Sequence, residues 1–475
     1  MKMNNLLLVA FMVLAINSCA KENKEIRVPN IKPNIVFILA DDMGYNELGC
    51  FGGNVIETPN IDNLARGGMI FTNHYCGSNL CAPSRCTLIT GKHTGHSTIR
   101  DNKALPFEGN EPIKAEEVTV AELLKSAGYK TGAFGKWGVG YPGSEGAPTR
   151  QGFDQFYGYN CQRHAHDYFT TYMRQNDDSV TINENITNPF TIYSPVSIEN
   201  EALKFIEKNK NNPFFLYFAP TLPHGPYHQP DDSLLAYYEK KTGITKGIAH
   251  EEDFSVPKYA AMSTRLDMEV GKIVAKLKAL NLLNNTLIIF ASDNGTALKP
   301  DEDSFLQTGG QLHGRKSEAY EGGIKSPFVA YWEGKITPGT KSDHISAFWD
   351  FLPTCAEIVN VKKPENIDGI SFLPTLLGET ENQIEHEYLY WERNQYKAIR
   401  RGDMKAVVKY ENQIQEPIVE IYNLRKDPYE KTDVASSMPE LKEEFLKLAE
   451  TAHIESPIFP FFKNEKKSKK LDKEE

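Results

Sequence analysis

Asn34-Ile-Val-Phe-Ile-Leu-Ala40 runs straight into Asp41-Asp42. The stretch is apolar at consecutive positions rather than alternate ones, which fits a strand buried on both faces of a parallel sheet. Two acids at its carboxyl end would then stand together at one edge of that sheet. Three further stretches repeat the arrangement. Residues 129–134 end at Gly135-Lys136-Trp137, residues 213–219 run into Pro223-His224, and residues 286–292 end at Asp293-Asn294-Gly295. Helical patterns lie between them. Residues 118–127 are closed by Gly128, and in residues 257–280 Met262, Leu266, Val270, Ile273, Leu277 and Leu280 recur at steps of three and four. Alternating strands and helices imply an α/β sandwich with a large, mostly parallel central sheet flanked by helices. Ligands of such sheets gather beyond the carboxyl ends of the strands, where the acidic and basic residues just named are delivered.

Beyond about residue 377 the texture changes. Residues 388–391, 396–400, 404–410 and 420–424 read as short antiparallel strands joined by turns, and residues 438–453 as a helix. The expected organisation is a catalytic domain over residues 33–377 and a small antiparallel sheet subdomain with one helix over residues 378–463. A Lys/Glu-rich tail, residues 464–475, follows. The polar, poorly periodic segments 168–198 and 229–254 are expected to form rim loops.

At 475 residues the chain can bury a large core. Its 40% hydrophobic and 24% charged content belong to an ordinary soluble globular protein. A formal charge of -10 argues against non-specific nucleic-acid binding. It also means that an anionic ligand must be drawn in by a local cluster of cations, since exposed charges are screened beyond roughly 10 Å at ordinary salt. At the N-terminus, Lys2 followed by the apolar residues 6–16 reads as a signal peptide over residues 1–18, too short to span a bilayer. Ile16-Asn17-Ser18-Cys19 resembles a bacterial lipobox, with Cys19 the lipidated residue and residues 19–32 a tether. The expected location is the periplasm or the cell surface, with the membrane engaged only through that lipid; plain secretion is the alternative. Seven cysteines in so long a chain are not a disulfide framework, and a pairing of Cys76 with Cys81 or Cys86 stays open.

Cys81-Ala-Pro-Ser84-Arg85-Cys-Thr-Leu88-Ile-Thr90-Gly91 resembles the signature of the formylglycine-dependent sulfatases of the alkaline phosphatase superfamily, Cys-x-Pro-Ser-Arg followed by Leu and Thr-Gly at this spacing. The resemblance implies that a maturation enzyme oxidises Cys81 to formylglycine. One hydroxyl of its hydrate attacks sulfur and releases the alcohol, and the other then expels sulfate and restores the aldehyde. Pro83 and Ser84 favour a helix start, so residues 84–90 are expected to open a helix whose positive end lies beside position 81. The resemblance sets Arg85 against the diol and the metal, and makes Asp41, Asp42, Asp293, Asn294 and the modified residue 81 the ligands of one cation, usually calcium. The residue types agree with that. Hard cations take carboxylate and amide oxygens, and adjacent acids repel each other without one. The same oxygens would suit magnesium.

Lys136 in Gly135-Lys136-Trp137, His224 after Pro223, and Lys316 ahead of Tyr320-Glu321-Gly322-Gly323 match the family's groups for sulfate and its leaving oxygen. One departure stands out. Many members carry histidine two residues after the motif lysine, where this chain has Gly138. The segment Asn160-Cys-Gln-Arg163-His164-Ala-His166-Asp167 offers replacement imidazoles, His166 first and His164 second, and resembles a carbohydrate-sulfatase branch with Gly-Lys-Trp-Gly. His313 and Arg315, beside Lys316, are further candidates for contact with sulfate or sugar. The implied partner is a sulfated glycan carrying galactose or N-acetylgalactosamine units. Two other readings are a phosphodiesterase or phosphonate monoester hydrolase of the same superfamily, and a surface lipoprotein that binds sulfated glycans without cleaving them.

Overall fold

Asn34–Ala40 forms a strand in the middle of a ten-stranded sheet. The computed structural model describes residues 32–245, 256–299, 305–410 and 416–462. The expected signal peptide, Cys19, the tether up to residue 31 and the charged tail lie outside the described residues. Five strands at the centre of the sheet are parallel, in the order Thr286–Ser292, Asn34–Ala40, Phe214–Ala219, Lys130–Lys136 and Gln155–Tyr159. Antiparallel strands extend both edges, Phe328–Tyr331 next to Thr286–Ser292 and Tyr172–Gln175 next to Gln155–Tyr159. Register brings the parallel strands to a common edge, with Ala40 opposite Ser292 and Lys136 opposite Tyr159.

The central strand is completely buried on both faces. Val36 and Ile38 pack with Ile61, Ile198, Phe205, Met262, Leu266 and Val270, from the helices Pro59–Gly67, Ser194–Asn209 and Val256–Ala279. On the opposite face Phe37 meets Phe351 of the helix Phe351–Ile358 at 4.7 Å between ring centroids. Each such fully buried side chain contributes roughly 1.5–3 kcal/mol relative to exposure. That burial on both faces is why the sequence shows no alternation.

The small sheet is antiparallel, with strands Leu389–Arg393, Tyr396–Arg401, Met404–Lys409 and Ile418–Asn423. The helix Pro439–Thr451 sets Phe445 and Ala449 against Tyr390, Ile399, Val408 and Ile421. Specific polar contacts join this sheet to the rest of the chain. Trp391 Nε1 donates to the Cys76 carbonyl at 3.0 Å, and Arg100 pairs with Glu392 at 2.8 Å. Lys405, fully buried, lies 3.0 Å from Glu321 and 2.9 Å from Glu430.

Three local expectations change. The helix with the Cys81 signature runs Cys81–Thr90 and starts at Cys81 itself, three residues earlier than Ser84. Pro83 is tolerated because the first turn of a helix has no acceptors for its N–H groups, and Ser84 N already reaches the Leu80 carbonyl at 3.1 Å. Segment 168–198 is not all loop. It adds the hairpin Tyr172–Gln175 and Asp178–Thr181 to the sheet, held by Tyr172 and Arg174 on Glu108 at 3.0 Å and 2.6 Å. Segment 229–254 contains the helix Ser233–Thr242, whose N-terminus is capped by Asp232. The six described cysteines are all free thiols, so Cys76 pairs with neither Cys81 nor Cys86. No helix among the described residues is long and apolar enough to cross a membrane.

Lys405 supplies the junction's test. Removing one partner of a buried ion cluster leaves uncompensated charge, at a cost of about 3–5 kcal/mol. Lys405→Met is therefore expected to lower unfolding free energy by about that amount in a urea titration, with Glu321 and Glu430 left facing each other. A change below about 1 kcal/mol, the worth of an exposed pair, would contradict this role.

Candidate active site

Asp41 and Asp42 leave the central strand on opposite errands. Asp42 takes a left-handed backbone, φ +67°, while Asp41 N bonds the Leu222 carbonyl at 3.0 Å and Asp42 N bonds Asp293 Oδ1 at 3.2 Å. This divides the two carboxylates between two cations. Asp41 Oδ2 lies 2.7 Å from Lys136 Nζ, and Asp42 Oδ2 lies 2.6 Å from Lys316 Nζ. Arg85 completes the ring. Its Nε and one Nη reach Asp293 Oδ2 at 3.0 Å and 2.8 Å, and its other Nη donates to the Lys136 carbonyl at 2.6 Å. His224 Nδ1 rests on the Gly225 carbonyl, which turns Nε2 towards Lys316 Nζ at 3.1 Å and Asp42 Oδ2 at 3.3 Å. Cys81 Sγ, in the first turn of its helix, sits 3.4 Å from Asp41 and 3.8 Å from Asp42.

All of these groups except His224 and Lys316 are wholly buried. Burial is the largest influence on each acid and opposes its charge, yet Lys136 holds Asp41 well below the usual carboxylate range, and His224 and Lys316 hold Asp42 below it. Asp293 differs. Burial and then Asp41 push it up to about 6 in spite of Arg85. Burial also raises the Cys81 thiol, more than Lys136 and Lys316 lower it, and brings His224 down to about 4. Both lysines move up, Lys136 through Asp41 and Lys316 through Asp42, against burial.

Three acids face three permanent cations here, a balance that leaves Asp293 the least comfortable member. Asn294 donates Nδ2 to Asp42 Oδ1 at 2.7 Å, while its own Oδ1 is buried with no hydrogen-bond partner. A buried carbonyl oxygen without a donor, beside three converging carboxylates, is the donor set that a hard cation takes. Asp41, Asp42, Cys81 and His224 indeed offer ligand atoms close enough together for one ion.

The histidine-bearing segment divides. His166 stacks on His224, with centroids 4.8 Å apart and planes at 20°, so it reaches the cluster through that ring. His164 does not. Its Nε2 bonds Thr170 at 2.8 Å and its ring stacks on Tyr172 at 4.2 Å. His313 is exposed and stacks on Tyr320 at 3.8 Å, and Arg315 donates to the Leu298 carbonyl at 3.2 Å; the contacts of both lead away from the cluster. Gly138, at φ +83°, leaves space for a Cβ in ordinary van der Waals contact with Arg85 Cδ at 3.8 Å and Gln162 at 3.9 Å. Sequence reasoning missed the residues around that space. Asn102 Oδ1 accepts from Ala82 N at 3.2 Å and from Gln162 Nε2 at 2.9 Å. Asn160 accepts from Gly138 N through its carbonyl at 3.0 Å, and both polar atoms of its buried side chain lack partners. Asn160 and Gln162 lie in the same segment as His166, but nothing in the spacing marks Asn102.

The family model described as Sulfatase matches residues 33–361, and one described as N-sulphoglucosamine sulphohydrolase, C-terminal, matches residues 313–452. N-acetylgalactosamine-6-sulfatase of Rattus norvegicus is 31% identical over 399 residues, covering 79% of this chain and 71% of that protein. Arylsulfatase A of Homo sapiens is 33% identical over 397 residues, covering 79% and 74%. Among solved structures, that of Ps i-CgsB superimposes with a TM-score of 0.76 at 29% identity, over 93% of this chain and 98% of that one; it has also been solved in complex with k-i-k-neocarrahexaose. The chain thus belongs to the sulfatase family, enzymes that hydrolyse sulfuric esters on an alkaline-phosphatase-like sheet.

Proposed function

We propose that this protein hydrolyses sulfate esters of carbohydrates, with formylglycine made from Cys81 as nucleophile and one calcium ion held by Asp41, Asp42, residue 81, Asp293 and Asn294. The position of Cys81 carries the reading. Its side chain opens a helix within 3.4 Å of Asp41, ringed by Arg85, Lys136, Lys316 and His224. Burial keeps the thiol protonated, and a protonated thiol is a poor nucleophile. Formylglycine at this place supplies, as its hydrate, an oxygen able to attack sulfur. A cation held by these oxygens would supply a Lewis acid for the sulfate, and the partnerless Asn294 Oδ1 supports its place here.

The chain's own residues divide the remaining work. Lys136 and Lys316 are compact charges suited to neutralising the sulfate as negative charge develops. Lys316 Nζ and His224 Nε2, 3.1 Å apart, form the pair that gives a proton to the leaving oxygen. Arg85 has its donors committed to Asp293 and the Lys136 carbonyl, which makes it a positioning residue for both. Sulfated galactose or N-acetylgalactosamine units of a host or algal glycan are the proposed substrates, in keeping with the relative named N-acetylgalactosamine-6-sulfatase and the neocarrahexaose complex of Ps i-CgsB. Residues 1–18 would export the chain, and a lipid on Cys19 would hold it in the periplasm or at the cell surface, after a maturation enzyme has acted on Cys81.

Three outcomes are expected. Matured protein should hydrolyse 4-methylumbelliferyl sulfate with kcat/KM at least about a hundredfold above the matching phosphate, given a site selective for one ester; the opposite preference would favour a phosphoester hydrolase. Dialysis against a chelator should abolish turnover and lower the melting temperature, with calcium restoring both. Full turnover in a metal-free sample contradicts the cation. His166→Ala removes the ring stacked on His224, so turnover of a sulfated sugar should fall about tenfold, or about 1.4 kcal/mol, with the melting temperature little changed. Parental kinetics in that variant would reduce His166 to packing.

A further inference from the structure

Beside the proposed sulfate site lies a cleft of about 150 Å³, lined by residues 100–103, the Arg393-Asn394 turn and residues 458–461. Its walls are tied to the reacting position from two sides. Asn102 Oδ1 holds Ala82 N at 3.2 Å, one residue from position 81. Arg393 donates to the Ser317 carbonyl at 3.4 Å, one residue from Lys316. Tyr396, from the same small-sheet hairpin, donates to that carbonyl at 2.8 Å and also bonds Asn79. Each link ends one residue from position 81 or from Lys316, which ties the cleft's walls to the loops that carry the sulfate site.

The lining is that of a sugar site. Phe459 presents a half-buried ring, with Lys103 Nζ 5.7 Å from its centroid. Asp101 fixes the turn opposite, accepting from Arg393 at 3.1 Å and from Asn394 at 3.0 Å. A pyranose has a C–H face for an aromatic ring and hydroxyls at its rim for amides and charged groups, the mixed lining that such pockets use. Arg100, Lys103 and Arg393 pair with Glu392, Glu111 and Asp101 at 2.8, 2.8 and 3.1 Å, so the lining offers polar groups for hydroxyls without an excess of either charge.

We infer that this cleft binds the sugar unit adjoining the sulfated one, so that the protein acts on a sulfated oligosaccharide in preference to a free sulfated monosaccharide. The inference rests on the sulfatase reading and adds to it a second, neighbouring subsite. The matured, calcium-loaded full chain and its Phe459→Ala and Lys103→Ala variants would be compared by sulfate release. Suitable probes are galactose 6-sulfate, N-acetylgalactosamine 6-sulfate, 4-methylumbelliferyl sulfate, κ-neocarratetraose and a chondroitin 6-sulfate tetrasaccharide. The parent should favour one tetrasaccharide over the best small ester at least about tenfold in kcat/KM, the scale of one lost contact. In each variant that ratio should fall at least about fivefold, chiefly through KM, with the melting temperature near the parent's. A parent without that preference, or folded variants with the parental ratio, overturns the subsite alone. Sulfate release from none of the probes contradicts the sulfatase reading, and the subsite falls with it.

Discussion

Three carboxylates and three permanent cations, drawn together in a largely buried cluster at the carboxyl edge of a parallel sheet, are what the rest of this structure serves. A single unpaired charge there would cost several kcal/mol, so every element that brings an acid must be matched by one that brings a cation. The strands Asn34–Ala40 and Thr286–Ser292 bring Asp41, Asp42 and Asp293. Lys130–Lys136 brings Lys136, the Cys81 helix brings Arg85, and the segment before Glu321 brings Lys316. The parallel register is what allows this convergence from such distant parts of the chain. It holds only while the flat layers on both faces stay packed.

Much of that arrangement was legible in the sequence. Four apolar runs ending in polar residues give four of the five central parallel strands to within two residues, because burial on both faces removes alternation from the pattern, while Gln155–Tyr159 is not among them. The long helix Val256–Ala279 was legible for the converse reason in its second half, where Leu266, Val270, Ile273 and Leu277 form one buried stripe, while its first nine residues are buried all round. Other features rest on distant partners and leave no local trace. The hairpin of Tyr172 and Arg174 depends on Glu108, some sixty residues earlier. Asn102 joins the site through the backbone of Ala82. His166 ranks ahead of His164 in the sequence, and the roughly two-thirds of a 3-10 turn between them sets His166, not His164, on the His224 ring.

The small C-terminal sheet has its own apolar core, yet its polar residues face the catalytic machinery. Trp391 holds Cys76, and Arg393 and Tyr396 hold Ser317, so the loops on either side of Cys81 and Lys316 are fixed from that side. The large sheet thereby sets the charges proposed to meet the sulfate. The small sheet braces the loops that carry two of the reacting groups. Such a division would let loops and turns on the small sheet vary with the glycan while the chemistry stays fixed.

Position 81 is proposed to act through oxygen, as an aldehyde hydrate, and not through its thiol. The most direct measurement is peptide mass spectrometry of position 81 across preparations matured to different extents, with sulfate-ester turnover measured on the same samples. Turnover should rise in proportion to the aldehyde fraction and extrapolate to zero where only cysteine is present. Full turnover in protein whose Cys81 is wholly an unmodified thiol would contradict it.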